Sequence, residues 1–347
     1  MWKRNTGTGG LAAFAMGVAL IMTALGFAAP ADAQETIQWK AVTLHRNGPN
    51  YDKWLWFKEE AAKRTDGRLQ VEIMTYPELG LTGADVLRVM ASGLISLAEV
   101  SSGYVSADFP LIEGTDLPGL ISDLDGARKA YDSWTKAVVA PNSDKVGGVP
   151  YSTFAWGPIY LMTRDAVESM SDIKGMKIRV FAPAQARYIE EFGAEPISMP
   201  ISEVYSALQR GTIDGMITGL DQLKPMAAWE ITPNITDIGI APLGAYLVIS
   251  QRAWDGLPDD VKTVLKDMQA EFTDVGWVGS ARVVEEGFAI AKEHKMTVKV
   301  PAPEAIRAEF STVAKQIMVP WWVERVGPEG EKLLNEVIVP IADEVDG

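Results

Sequence analysis

The amino-acid sequence predicts an α/β protein built from two similar lobes with a cleft between them. Strand-like and helix-like segments alternate in the order β-α-β-α-β twice, over residues 36–101 and again over residues 175–215. This order favours an open, mostly parallel sheet flanked by helices, with a crevice at the ends of its strands. A third segment, residues 258–294, has helical spacing over a length that corresponds to about 50 Å of helix.

The first 33 residues have the features of a secretory signal peptide. Lys3 and Arg4 precede an apolar run over residues 11–27, and Ala31-Asp32-Ala33 forms an A-x-A cleavage site. The run has 17 residues, at the short end of the range for a membrane-spanning helix, so a transmembrane anchor is the competing interpretation. The small residues and the cleavage site favour export to the periplasm as a soluble mature chain.

Three strands and two helices are predicted in the first half. Residues 36–44, 69–74 and 95–100 alternate or form short apolar runs, as is typical of strands. Residues 51–64 and 84–92 carry apolar side chains at helical spacing. The loops that follow the three strands are therefore expected at one edge of a sheet, where a ligand would bind.

The second half repeats this pattern around Arg179. Residues 176–181 form an alternating strand with Arg179 at its centre, Ser202 is predicted to cap a helix that ends at Gly211, and another strand begins at Ile213. An arginine at the edge of such a sheet is a ready receptor for a carboxylate, because its planar fork donates two parallel hydrogen bonds. The alternative is a surface ion pair, since arginine often points outward from a strand.

The remaining segments connect or cover the two sheets. In chain order they are a helix over 126–139, an extended crossing segment over 148–161, a strand over 246–250, and closing helices over 303–326 and 329–344. Gly276, Gly279 and Gly287 are expected to bend the long helix.

Composition and charge exclude several classes of function. The chain has 347 residues, a formal net charge of −14 and no cysteine. So acidic a chain is unsuited to neutralising the phosphates of a nucleic acid, and without cysteine it has no disulfide, thiol nucleophile or Cys-bound metal. Its two histidines, His45 and His294, lie far apart, and no metalloprotease, P-loop or dinucleotide motif is present. We therefore predict no catalytic residue, no metal site and no cofactor.

Six motifs are spread along nearly the whole predicted mature chain. They are ELG at 78–80, SSGYVS at 101–106, DLPGL at 116–120, GMKIRV at 175–180, MPISEVYSALQRGTIDG at 199–215 and LVISQRAWDGLP at 247–258. Together they resemble the periplasmic solute-binding proteins of tripartite ATP-independent periplasmic (TRAP) transporters, the DctP-like family. The resemblance implies a two-lobed periplasmic binding protein in which a long helix bridges the lobes.

The resemblance also implies a function and a division of the chain. Such a protein captures an organic acid in the cleft and delivers it to a membrane permease made of a small and a large subunit. The first lobe is expected to contain residues 34–155 plus 247–286, and the second residues 156–246 plus 287–347.

In this family the arginine of the KIRV-like motif holds the ligand carboxylate, which implies that role for Arg179. Two positions depart from the family pattern. Sialic-acid binders carry a second arginine upstream, where this chain has the run 156–159 that begins with Trp156, and many members have an asparagine where this chain has Thr218. The loss of a cation and an amide predicts a monocarboxylate, with an aromatic or apolar body. Trp156 is either a flat wall for that body or a core residue.

Other candidate ligand-binding residues follow the predicted strands or stand near Arg179. They are His45, Asn47, Glu78, Glu99, Ser102, Tyr104, Phe181, Ile201 and Asp221. Glu99 matches a glutamate in the site of the sialic-acid binders; a carboxylate there suits a ligand with a hydroxyl or amine, unless it faces solvent.

Two further interpretations remain open from the sequence. One is a binding protein of an ABC transporter, and the other is a secreted enzyme whose cleft acts on carboxylated substrates. The residues do not decide between a monomer and a dimer, nor whether a metal ion bridges the ligand.

Overall fold

The computed structural model of the chain describes residues 35–46 and 48–346. The predicted signal peptide and the candidate residue Asn47 lie outside this part of the chain. Within it, no helix combines the length and the apolar character needed to cross a membrane.

Strands and helices alternate through the described residues. The strands are β1 (Ile37–Thr43), β2 (Leu69–Thr75), β3 (Leu97–Ser101), β4 (Gly148–Gly157), β5 (Ile159–Thr163), β6 (Lys177–Val180), β7 (Glu195–Ser198), β8 (Gly215–Gly219), β9 (Asn234–Thr236), β10 (Leu243–Ser250) and β11 (Thr297–Lys299). The helices are α1 (Pro49–Arg64), α2 (Val86–Ser92), α3 (Ser102–Val105), α4 (Leu124–Trp134), α5 (Pro183–Glu191), α6 (Ile201–Gln209), α7 (Leu223–Met226), α8 (Gln251–Asp255), α9 (Asp259–Glu293), α10 (Glu304–Val313), α11 (Val319–Leu333) and α12 (Val339–Asp346).

The first sheet has the strand order β2-β1-β3-β10-β4. Strand β1 is parallel to both β2 and β3, as the first half of the sequence predicts. Strand β10, which comes much later in the chain, enters antiparallel between β3 and β4. Every residue of β10 is buried, because helices or strands cover both of its faces and both of its edges.

The second sheet has the order β11-β9-β5-β8-β6-β7. Strand β6 is parallel to β7 and β8, as predicted around Arg179, whereas β5 is antiparallel to β8 and β9. The predicted α/β fold of two helix-flanked sheets is thus confirmed. Each sheet is mixed: β10, from a distant segment, is the antiparallel strand of the first, and β5 is the antiparallel strand of the second.

Helix α9 runs without interruption for 35 residues and contacts both sheets. Near its middle, Trp277 Nε1 donates a hydrogen bond to Thr153 Oγ1 of β4, at 3.2 Å. Further along, Gly287 lies against Leu220, which directly follows β8. The predicted bridging helix is therefore confirmed.

The glycines of α9 mark close contacts, in place of the bends that the sequence suggested. A Cβ atom at Gly287 would lie 2.4 Å from Leu220 Cβ, and one at Gly279 would lie 2.9 Å from the carbonyl oxygen of Pro49. A side chain at either position would push the helix away from its neighbour.

The chain passes between the sheets at Gly157-Pro158, in the segment between β9 and β10, and along α9. The predicted lobe boundaries stay a prediction. The C-terminal helices α11 and α12 contact α4 and the turn Pro110–Thr115, so they pack on elements that the sequence division placed in the first lobe.

One predicted helix cap is wrong. Helix α6 begins at Ile201, its N-cap position is taken by Pro200, and no side chain caps it. Ser202 is inside the first turn, because the extended backbone of Pro200 already marks the boundary.

Candidate ligand-binding site

Two adjoining cavities lie where the strand ends of the two sheets meet. The arginine chamber has a volume of about 50 Å³, and its walls are mostly apolar: Tyr104, Trp156, Ile159, Phe181, Ile201 and Leu243. Its polar lining consists of His45, Arg179, Thr218, Asp221 and Gln222. The lateral cavity has a volume of about 300 Å³ and extends beside α9, with Asn50, Lys53, Glu99, Lys224 and Glu286 in its lining. His45, Trp156 and Asp221 line both cavities and so form the wall between them.

Arg179 lies in β6 and is 1% exposed, although it carries a full charge. Its Nε donates to the carbonyl oxygen of Met199 at 3.1 Å, and its Nη1 donates to that of Ile217 at 3.2 Å. The guanidinium carbon is 4.9 Å from the centre of the Phe181 ring. These contacts fix the plane of the guanidinium in the chamber while using two of its five N–H groups.

The charge of Arg179 has no anionic counterpart among the residues that the structure describes. Burial lowers the pKa of Arg179 to about 10, and the neighbouring phenol of Tyr104 partly opposes this shift. A guanidinium that is buried in this way has lost its hydration without gaining an ion pair. It is therefore chemically suited to bind an anion that enters the chamber.

Seven other predicted residues line the chamber with Arg179: His45, Tyr104, Trp156, Phe181, Ile201, Thr218 and Asp221. Phe181 and Ile201 contribute apolar wall, and Thr218 lies on the neighbouring strand β8. Trp156 is buried, edge-on to Phe154, and its carbonyl accepts a hydrogen bond from Asn50 Nδ2 at 3.3 Å. The structure thus brings together residues that the sequence separates by more than sixty positions.

Glu99 borders the lateral cavity, but protein donors occupy its carboxylate. Thr43 Oγ1 and Trp54 Nε1 donate to Oε1 at 2.9 and 2.8 Å, and the backbone N–H of Leu44 donates to Oε2 at 2.9 Å. Lys53 Nζ forms an ion pair with the same carboxylate at 3.2 Å. Glu99 therefore holds the end of β1 and the ammonium of Lys53 in place.

Lys53 is a residue of the site region that sequence reasoning missed. It is 1% exposed, lies 3.4 Å from the centre of the Phe154 ring, and burial lowers its pKa to about 8. A lysine in a helix ordinarily indicates a solvated face. The available signal was its place directly before Trp54 and one turn before Phe57, in the apolar face of α1.

Other lining residues that were not predicted are Asn50, Gln222, Lys224, Leu243 and Glu286. Leu243 and Glu286 reach the cavities from β10 and α9, elements whose packing partners are far away in sequence.

Two predicted residues lie outside both cavities. Glu78 is half-exposed, pairs with Arg46 at 3.0 Å and accepts a hydrogen bond from the backbone N–H of Thr75 at 2.7 Å. Ser102 is buried and donates its hydroxyl hydrogen bond to Asp116. Both side chains follow strands as expected, but local partners turn them away from the cleft.

No group of three or more histidine, aspartate or glutamate side chains within the described residues is arranged to hold a metal ion. The arginine chamber offers a cation, a carboxylate, hydroxyl groups and apolar walls, and the lateral cavity adds further lysine and glutamate side chains.

Comparison with known proteins assigns the chain to a family. The sequence model of the bacterial extracellular solute-binding proteins, family 7 (DctP), matches residues 41–321. The chain belongs to this family. Its resemblance to the DctP-like receptors of TRAP transporters is thereby confirmed.

Relatives and solved structures agree on the fold. The C4-dicarboxylate-binding periplasmic protein DctP of Rhodobacter capsulatus is 23% identical over 83% of this chain and 80% of its own length. DctP7 of Bordetella pertussis, an extracytoplasmic solute receptor that binds pyroglutamic acid, superposes with a TM-score of 0.79 at 24% identity, over 86% of this chain and 99% of that one. A marine metagenome TRAP solute-binding protein in complex with 3-hydroxybenzoate superposes with a TM-score of 0.80 at 20% identity, over 90% of this chain and 100% of that one.

Proposed function

We propose that this protein captures an organic monocarboxylate in the periplasm and delivers it to the small and large membrane subunits of a TRAP transporter. The observation that carries this proposal is the buried guanidinium of Arg179, which lines the arginine chamber and has no carboxylate partner among the described residues.

The binding energy comes from the change in the surroundings of Arg179. A carboxylate that accepts hydrogen bonds from the remaining N–H groups restores the charge compensation that burial removed. Each such charge-assisted bond contributes about 1.5–3 kcal/mol. Because the chamber is lined from both sheets, the ligand contacts both lobes and stabilises a closed arrangement over an open one.

The walls of the chamber favour an acid with an apolar or aromatic body. Trp156, Phe181 and Ile201 present aromatic and aliphatic surface, and among the described residues Arg179 is the one arginine or lysine that lines the chamber. A second carboxylate would therefore lack a cation close by. Related structures contain pyroglutamic acid, orotic acid or 3-hydroxybenzoate, each of which carries a single carboxylate on a ring.

Replacement of Arg179 by methionine tests the proposal. Methionine keeps most of the apolar stem and removes the fork, so we expect the dissociation constant for every bound acid to rise at least thirtyfold or so (about 2 kcal/mol). The melting temperature of the unliganded variant should stay the same or rise, because a buried uncompensated charge is removed. Thermal-shift screening of mono-, di- and aromatic acids followed by calorimetry measures both.

Arg46→Met is the matched control, because Arg46 is half-exposed and lies outside both cavities. It should leave the dissociation constants unchanged. An Arg179→Met protein that binds its acid as tightly as the wild type would refute the proposal.

A further inference from the structure

Asp221 is an ionisable group of the arginine chamber that takes no part in the proposed contact between Arg179 and the ligand carboxylate. It directly follows Leu220 in the turn after β8 and lines both the chamber and the lateral cavity. Its carboxylate accepts a side-chain hydrogen bond from Gln222 Nε2 to Oδ2 at 2.5 Å, and the backbone N–H groups of Asp221 and Gln222 also donate to it. Within the described part of the chain, no lysine, arginine or histidine forms an ion pair with it, and His45 is a basic group that faces it from the opposite sheet.

The contrast with Glu99 shows that the donors found for Asp221 belong to its own turn. The carboxylate of Glu99 receives hydrogen bonds from three groups and an ion pair from Lys53, which matches the number that a carboxylate can accept. Within the described residues Asp221 has neither a counter-ion nor a hydrogen-bond donor from another element, and burial raises its pKa. A desolvated carboxylate without a counter-ion destabilises the empty chamber, and a donor that enters with the ligand reduces this cost.

The chamber therefore holds a cation and an anion that do not pair with each other. Resting on the function proposed above, we propose that Asp221 is a specificity-determining residue, which accepts a hydrogen bond from an O–H or N–H group of the ligand whose carboxylate Arg179 holds. The ligand class is then a hydroxy acid or an acid with a ring N–H. A purely apolar acid brings no donor to Asp221, and a dicarboxylate brings a like charge towards it.

Pairs of acids that differ in one donor test this assignment. Suitable pairs are 3-hydroxybenzoate with 3-methoxybenzoate, and pyroglutamate with N-methylpyroglutamate, taking whichever donor-bearing member raises the melting temperature of the wild-type protein. Calorimetry should show that the wild type prefers the donor-bearing member at least about tenfold, the value of one hydrogen bond to a charged group. Asp221→Ala should reduce that ratio to near one, and Asp221→Asn, which keeps an acceptor oxygen, should reduce it partly.

A purely structural role gives a different result. If Asp221 only stabilises the turn at 220–222, Asp221→Ala lowers the melting temperature and leaves the ratio unchanged, which overturns the inference. Glu203→Ala, at an exposed position of α6, is the control and should change neither.

The Arg179→Met protein separates the two proposals. Suppose that Arg179→Met binds neither acid of a pair, and that the ratio of the two dissociation constants is unchanged in Asp221→Ala. The carboxylate proposal then stands, and the role given to Asp221 is wrong. Undiminished binding in Arg179→Met, or no binding of any acid by the wild type, overturns the proposed function and with it the inference that rests on it.

Discussion

At the scale of single residues, the proposals depend on which buried charges the protein compensates by itself. Glu99 is paired with Lys53, and Asp116 accepts hydrogen bonds from the hydroxyl groups of Ser102 and Tyr131. Arg179 and Asp221 face the arginine chamber without an ion-pair partner among the described residues. The same burial that stabilises the fold thus leaves two charged groups, which we propose that a ligand complements.

Asp116 provides a pH test of this view of buried charge. Burial raises its pKa from an ordinary value of 3.8 to about 7. Between those pH values the folded protein keeps a proton that the unfolded chain has lost, so stability falls as pH rises through this window and levels off above it. The loss has an upper limit of about 4 kcal/mol, at about 1.4 kcal/mol for each pKa unit.

Asp116→Asn should remove this dependence, because the amide does not titrate. We expect the unfolding free energy of the variant minus that of the wild type, both measured with urea, to increase from pH 4.5 to pH 7. Asp267→Asn, at an exposed site of α9, should show no such trend. Parallel curves for the wild type and Asp116→Asn would contradict the prediction.

At the scale of elements, helix α9 makes its closest contacts with both halves of the protein at glycine residues. Its close approach to Leu220 and Pro49 requires glycine, although glycine weakens an isolated helix by about 1 kcal/mol relative to alanine. The sequence pattern alone suggested bends at these positions, because glycine in a helix has several possible causes. The contact partners, which lie far away in sequence, identify the cause here.

Gly287→Ala should destabilise the protein, against the trend of helix propensity. The added Cβ would lie 2.4 Å from Leu220 Cβ, so the helix or the turn must shift, at a cost of about 1–3 kcal/mol. Urea unfolding measures the change. Ala289→Gly, an exposed position one half-turn later, reports the propensity effect alone. A Gly287→Ala protein more stable than the wild type would show that the contact is not tight.

At the scale of the whole molecule, one carboxylate ties three parts of the chain together. Glu113, in the turn Pro110–Thr115, accepts a hydrogen bond from the backbone N–H of Ala184 in α5 at 3.2 Å. Its other oxygen is 2.5 Å from Arg325 Nη1 in α11. A buried acceptor thus links the turn after α3, the helix beside β6 and the C-terminal helices.

Glu113→Gln should lower the unfolding free energy by about 2–3 kcal/mol, because it leaves Arg325, which is 25% exposed, without its counter-ion. In the double variant with Arg325→Met, much of this loss should be recovered, and a double-mutant cycle in urea measures that coupling. The control is Glu336→Gln, whose exposed pair with Lys332 spans 3.8 Å and should contribute less than about 0.5 kcal/mol. Equal effects for the two glutamates would contradict the prediction.

Local periodicity was sufficient to predict the β-α-β-α-β halves, the parallel strands around Arg179 and the long helix, since each is a pattern of neighbouring residues. The family resemblance then indicated Arg179, Trp156 and Thr218, and all three line one chamber. Local pattern did not predict that β10 enters the first sheet, because Leu247 pairs with Glu99 across nearly 150 residues. Nor did it predict Lys53, whose charge lies in the apolar face of a helix.

The sequence by itself therefore determined the class of fold, the family and the arginine that lines the chamber, because these follow from short-range patterns and motifs. Only the tertiary structure decided which charges are compensated. Glu99 and Asp221 are both acidic residues placed near strand ends, yet Glu99 is surrounded by donors from β1 and α1, while Asp221 faces a cavity. The free energy of a buried charge depends on its surroundings in space, and those are set by contacts between distant segments.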